Sequence, residues 1–155
     1  MNKYPANNFY LNVIVWSLFC LSAGLIYSQA AEVMASVFRN GNESNAVQAI
    51  QAIRFLQSEY AAKHQGKFAP DFDELIKTEN FDDKFTGKNP VVDGYVYNMT
   101  VTEATETKPA FYSITADPNT SYTHAQARHF YIDSTLGTIK GTDENRPANA
   151  TDPSI

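Results

Sequence analysis

Cysteine is nearly absent from this chain: Cys20 is the only one in 155 residues. A single thiol makes no intrachain disulfide and no thiolate zinc cluster, which leaves packing alone to hold the fold. Basic clusters are missing too. The net charge is −5 and no run of lysine or arginine occurs, so the clustered basic face that nucleic acid requires is excluded. Catalytic sets are equally scarce. His64, His124 and His129 are scattered, and no serine sits in a nucleophile elbow. No helical spacing brings the three imidazoles together, so a joint metal site is not expected. His64 reads as a solvated group at a helix end, where the dipole favours a cation. The chain therefore reads as non-enzymatic and without a resident cofactor. It has no internal repeat.

What is present begins with charge-free sequence. Tyr4 to Ala31 carries no charged residue, and Phe9 to Tyr27 is strongly apolar. About 20 such residues suffice for a helix to cross a bilayer. The expectation is a transmembrane helix over 9–28, after a short segment 1–8. Phe9, Trp16 and Tyr27 supply aromatics, and Ser17, Ser22, Ala23 and Gly24 offer small residues for close helix packing. Its partners would be the lipid bilayer and other membrane subunits. Lys3 on one side and an acidic domain on the other place the N-terminus in the cytoplasm and the domain outside the inner membrane. The alternative is an export signal cut after Ser28-Gln29-Ala30. A lipid-modified Cys20 is disfavoured by bulky Phe19 before it.

Beyond this stretch the periodicity is helical, then alternating. Residues 29–64 continue as a helix with a local breaker at Asn40-Gly41-Asn42. From Glu43 it is amphipathic: Ala46, Ala49, Ile50, Ile53, Leu56 and Tyr60 share one face, and Gln48, Gln51, Arg54, Gln57 and Ser58 fill the other. Gly66 ends it. Asp71 to Lys77 is a short helix with acids first and lysine last. The period then becomes two in Gly94–Thr102, Ala110–Thr115 and His129–Asp133, with a short fourth strand over Leu136–Lys140. Residues 142–155 are a polar tail with little to bury. The fold class expected is α+β, with a long N-terminal helix packed on a three- to four-stranded antiparallel sheet spanning 65–141.

That order resembles the type IV pilin and type II secretion pseudopilin family. The likeness is carried by Asn42 to Ile50, Glu59-Tyr60-Ala61, Gly66 to Pro70, Phe111 to Pro118 and His129 to Asp133. It implies a structural subunit of a larger assembly, with a pilin-like periplasmic domain. The departures lie at the N-terminus. Asn8 precedes Phe9 where the family has glycine before its cleavage site, and the apolar run holds Asn12 and no glutamate. They favour instead a solo accessory subunit docked through its helix on an energy-transducing complex. A secreted binding domain, released near Ala30, is the third reading.

The resemblance also implies a calcium loop among the strands. Asp117, Asn119 and Thr120 offer oxygen ligands, with Asp133 nearby if the strands pair. Asp117-Pro118-Asn119 also reads simply as a turn. Asp71, Asp73 and Glu74 read as helix-start electrostatics. Tyr95, Tyr97, Phe111, Tyr112, Phe130 and Tyr131 alternate as sheet residues, one face core and the other either a tyrosine-rich contact surface or a solvated sheet face.

Overall fold

The computed structural model describes residues 34, 36, 41–119 and 127–155. Helix α1 runs over 41–63. It ends where Gln65 and Gly66 turn left-handed (φ 57° and 83°) and the Gly66 N–H donates back to the Ala61 carbonyl at 2.8 Å. Helix α2 spans Phe72–Glu79, capped by Asp71, whose side chain accepts from the Glu74 N–H. A 3-10 turn, Asp83–Phe85, leads into the sheet.

The sheet has five antiparallel strands in sequential order: β1 Val91–Val92, β2 Tyr95–Thr102, β3 Phe111–Pro118, β4 His129–Asp133 and β5 Lys140–Thr142. The expectation of three or four strands is thereby corrected. Strand β1 joins β2 through the two-residue turn Asp93-Gly94, both at positive φ (50° and 79°), as a tight hairpin demands. The fourth strand expected at 136–140 lies later. Residues 134–137 turn under the side chain of Asp133, and only Lys140–Thr142 pair with β4.

Alternation places Tyr95 and Tyr97, then Tyr112, Ile114 and Ala116, then Phe130 and Ile132 on the inner face. They form one cluster with Ala46, Ile50, Ile53 and Tyr60 of α1 and with Phe72, Leu75 and Phe85. Gln57 departs from the expected pattern. It is fully buried, although the helical period assigns it to the polar side.

Residues 142–155 are ordered against the sheet, which corrects the expectation of a loose tail. The Gly141 N–H donates to the Pro153 carbonyl, and the Ile155 N–H to that of Ile139. Ser154 bridges Lys140 at the β5 edge. Arg146 clamps Asp152 with two bonds, of 2.9 and 2.5 Å, and the Asn149 N–H donates to the same carboxylate.

The expectation of a single-pass inner-membrane protein is corrected as well. Among the described residues no helix is long and apolar enough to cross a membrane. The helix expected over 9–28 lies outside the described residues, as do Phe9, Trp16, Ser17, Ser22, Ala23, Gly24 and Tyr27.

Candidate functional site

Of the four oxygen ligands expected for calcium, Asp117 and Asp133 do not converge. Asp117 is on the outer face of β3, opposite Val96 of β2. Asp133 pairs with Ser113, four positions from Asp117 along the same strand, which is ~13 Å at the rise of an extended chain. One ion with ligands at about 2.4 Å cannot reach both. The Asn119 N–H donates to the Gly94 carbonyl at 2.8 Å, and Thr120 lies outside the described residues. No group of three or more His, Cys, Asp or Glu could hold a metal among the described residues.

Each carboxylate has a local task instead. Asp133 accepts from the Thr135 N–H and hydroxyl, from the Leu136 N–H and from the Tyr131 hydroxyl. Burial pushes its carboxyl up, but these four donors outweigh burial and hold it below the usual range. Burial and the Asp133 carboxylate push the Tyr131 phenol up to about 12. Asp117 accepts from the Thr115 hydroxyl at 3.0 Å and meets His129 Nδ1 at 2.6 Å. This carboxylate–imidazole pair crosses from β3 to β4 on the outer sheet face and ties the two strands.

His64 stacks on Tyr60 with ring centroids 3.8 Å apart, and its Nδ1 lies 2.8 Å from the Tyr60 carbonyl. A carbonyl only accepts, so Nδ1 carries the proton. His124 lies outside the described residues. The acidic cluster separates likewise: Asp71 caps α2, Asp73 accepts from the Gly87 N–H, and Glu74 lies 3.6 Å from Lys77.

The feature missed by sequence reading is the solvent side of α1. From Ser44 to Ser58 every exposed residue is uncharged: Ser44, Asn45, Gln48, Gln51, Ala52, Phe55 and Ser58. The strip is ~21 Å long at helical rise. Phe55 stands on it with 61% of its surface exposed. Arg54, on the edge, is engaged with the Gly137 carbonyl. Beside the N-terminal end of the strip is a recess of about 380 Å³ lined by Glu43, Ser44, Val47, Gln48 and Arg128. The Glu43 carboxylate there is held by the Arg128 backbone N–H and by its guanidinium at 3.0 Å. The signal was available in the sequence, since a helix flank lacking Lys, Glu and Asp for four turns is unusual for a solvated face.

A second recess of about 410 Å³ lies between the end of α1 and the β2–β3 hairpin, lined by Tyr60, Lys67, Phe68, Pro70, Val101 and Glu103 among others.

No family model, no curated protein and no solved structure matches this chain. The pilin and pseudopilin labels thus gain nothing beyond the short sequence stretches that suggested them.

Proposed function

We propose that this chain is a non-enzymatic interaction subunit of a larger assembly, and that it meets its partner through the solvent side of α1. The observation that carries this reading is Phe55, a large ring 61% exposed on a helix strip without charges. Covering such a strip desolvates no ion, and its hydroxyls and carboxamides can each be met by a hydrogen bond from a partner. Aromatic anchors of this kind commonly dominate binding energy. The polar constellations elsewhere are bonded internally, as the Asp117–His129 pair and the Asp133 turn are.

The test is the size of the particle that contains the full chain. Wild type is expected in a species larger than the monomer, and Phe55→Asp to release it while the variant still unfolds cooperatively, at a lower temperature because the assembly no longer stabilises the fold. A wild-type chain that is monomeric at every concentration tried would sink the reading.

A further inference from the structure

The two recesses differ in the state of their charges. In the one of about 380 Å³, Glu43 and Arg128 already hold each other at 3.0 Å. In the one of about 410 Å³, Lys67 and Glu103 line the same hollow with opposite charges. They do not pair with each other, and among the described residues neither side chain has a hydrogen-bond or ion-pair partner. Lys63, at the last residue of α1, is by contrast taken up by Glu79 at 2.6 Å.

The other walls of this hollow are aromatic and already fixed. Tyr60 carries the His64 ring stacked on it, with centroids 3.8 Å apart. Phe68 packs edge-on against Tyr112, with centroids 4.7 Å apart. The linker next to Phe68 is pinned, because Ala69 is bonded by the Gln57 amide through both its N–H and its carbonyl. The loop that carries Glu103 is closed by the Thr105 N–H, which donates to the Lys108 carbonyl at 2.8 Å. Walls held in this way lose little order when a ligand enters, and the volume is that of a small-molecule site.

From this we infer that the recess between the end of α1 and the β2–β3 hairpin binds a free aromatic α-amino acid. Lys67 meets its carboxylate, Glu103 meets its ammonium, and Tyr60, Phe68 and Val101 cover its ring. A plain acid would leave Glu103 unanswered, and a plain amine would leave Lys67 unanswered. The end of a peptide chain brings only one of the two charges, so the free amino acid fits better than a terminus. This site goes beyond the interaction reading above and does not depend on it.

The experiment titrates the full chain with L-phenylalanine at millimolar concentration and reads saturation transfer on the ring protons of the ligand. Saturable binding is expected. Phenylpropionate lacks the ammonium and phenethylamine lacks the carboxylate, so each should bind about fivefold more weakly for want of one charge-assisted bond. Lys67→Gln should weaken L-phenylalanine to a similar degree and leave phenethylamine unchanged. Glu103→Gln should weaken it likewise and leave phenylpropionate unchanged. Both side chains are exposed, and cooperative unfolding of each variant checks that the fold is kept. Absence of saturable binding for L-phenylalanine, L-tyrosine and L-tryptophan alike overturns the inference. Binding that is indifferent to both substitutions overturns it too, because the ligand then sits elsewhere. Phenylpropionate bound as tightly as L-phenylalanine would remove the role of Glu103 and with it the amino acid as ligand.

Discussion

Gln57 and Ala69 hold each other by two hydrogen bonds. The Gln57 Nε2 donates to the Ala69 carbonyl at 3.0 Å, and the Ala69 N–H donates to Gln57 Oε1 at 2.9 Å. Both residues are fully buried. The side-chain amide thus serves the linker before α2 as a neighbouring strand would, satisfying one donor and one acceptor that water cannot reach. Gln57→Leu leaves both backbone groups unpaired, so it should cost about 2–4 kcal/mol in chemical denaturation. A cost near zero would mean that the linker finds other partners.

Tyr97 presents the opposite situation. Its hydroxyl is buried and has no hydrogen-bond partner among the described residues. Burial, and secondarily the Asp93 carboxylate, pushes the phenol far above its ordinary value. Removing an unpaired buried polar atom relieves its desolvation. Tyr97→Phe should therefore be neutral to roughly 1 kcal/mol more stable, measured by the denaturation midpoint at constant slope. A loss of stability would reveal a partner for the hydroxyl.

The C-terminal segment should be sensitive to acid. The Arg146 guanidinium beside Asp152, helped by the Asn149 N–H, holds the Asp152 carboxyl down at about 2, against about 3.9 in an unfolded chain. A carboxyl depressed on folding stabilises the folded state fully above its unfolded pKa, and that contribution fades as pH falls from about 4 to about 2. The Asn149 amide should lose hydrogen-exchange protection in that window relative to amides of β3. Asp152→Asn should remove the pH dependence and leave the segment loosened throughout. Equal protection of Asn149 at pH 5 and pH 2 would contradict the clamp.

Calcium should not stabilise the domain through Asp117 and Asp133, which the β3–β4 register holds ~13 Å apart. Millimolar calcium is expected to shift the melting temperature of wild type and of an Asp117→Asn, Asp133→Asn double variant equally. A shift in wild type alone would require a coordination that this register does not provide.

The amphipathic spine and three of the five strands were legible because long apolar periods leave little choice of face. Ile50 and Ile53 recur at helical spacing, and Tyr95, Tyr97, Ile114 and Ile132 alternate. Strand β1 was not legible. Two valines are too short to show a period, although Asp93-Gly94 is a strong hairpin signal once strands flank it. Gln57 escaped because an amide counts as polar until its partner, Ala69, is known. The tail misled for a similar reason. Its stability comes from Arg146, Asp152 and main-chain pairing at Gly141 and Ile139, none of which gives an apolar pattern. Asp117 and Asp133 were grouped because β3 and β4 do pair, but only the register separates them. The uncharged flank of α1 was present in the sequence as Gln48, Gln51, Ala52 and Phe55. It reads as an ordinary polar face because Gln48, Gln51 and Ser58 share it with Arg54.

The central claim is that Phe55 belongs to an interface, and sedimentation velocity of the full chain tests it most directly. Wild type should sediment as a species larger than the monomer, and Phe55→Asp as a monomer that still unfolds cooperatively. A monomeric wild type, or an assembly indifferent to Phe55→Asp, would contradict it.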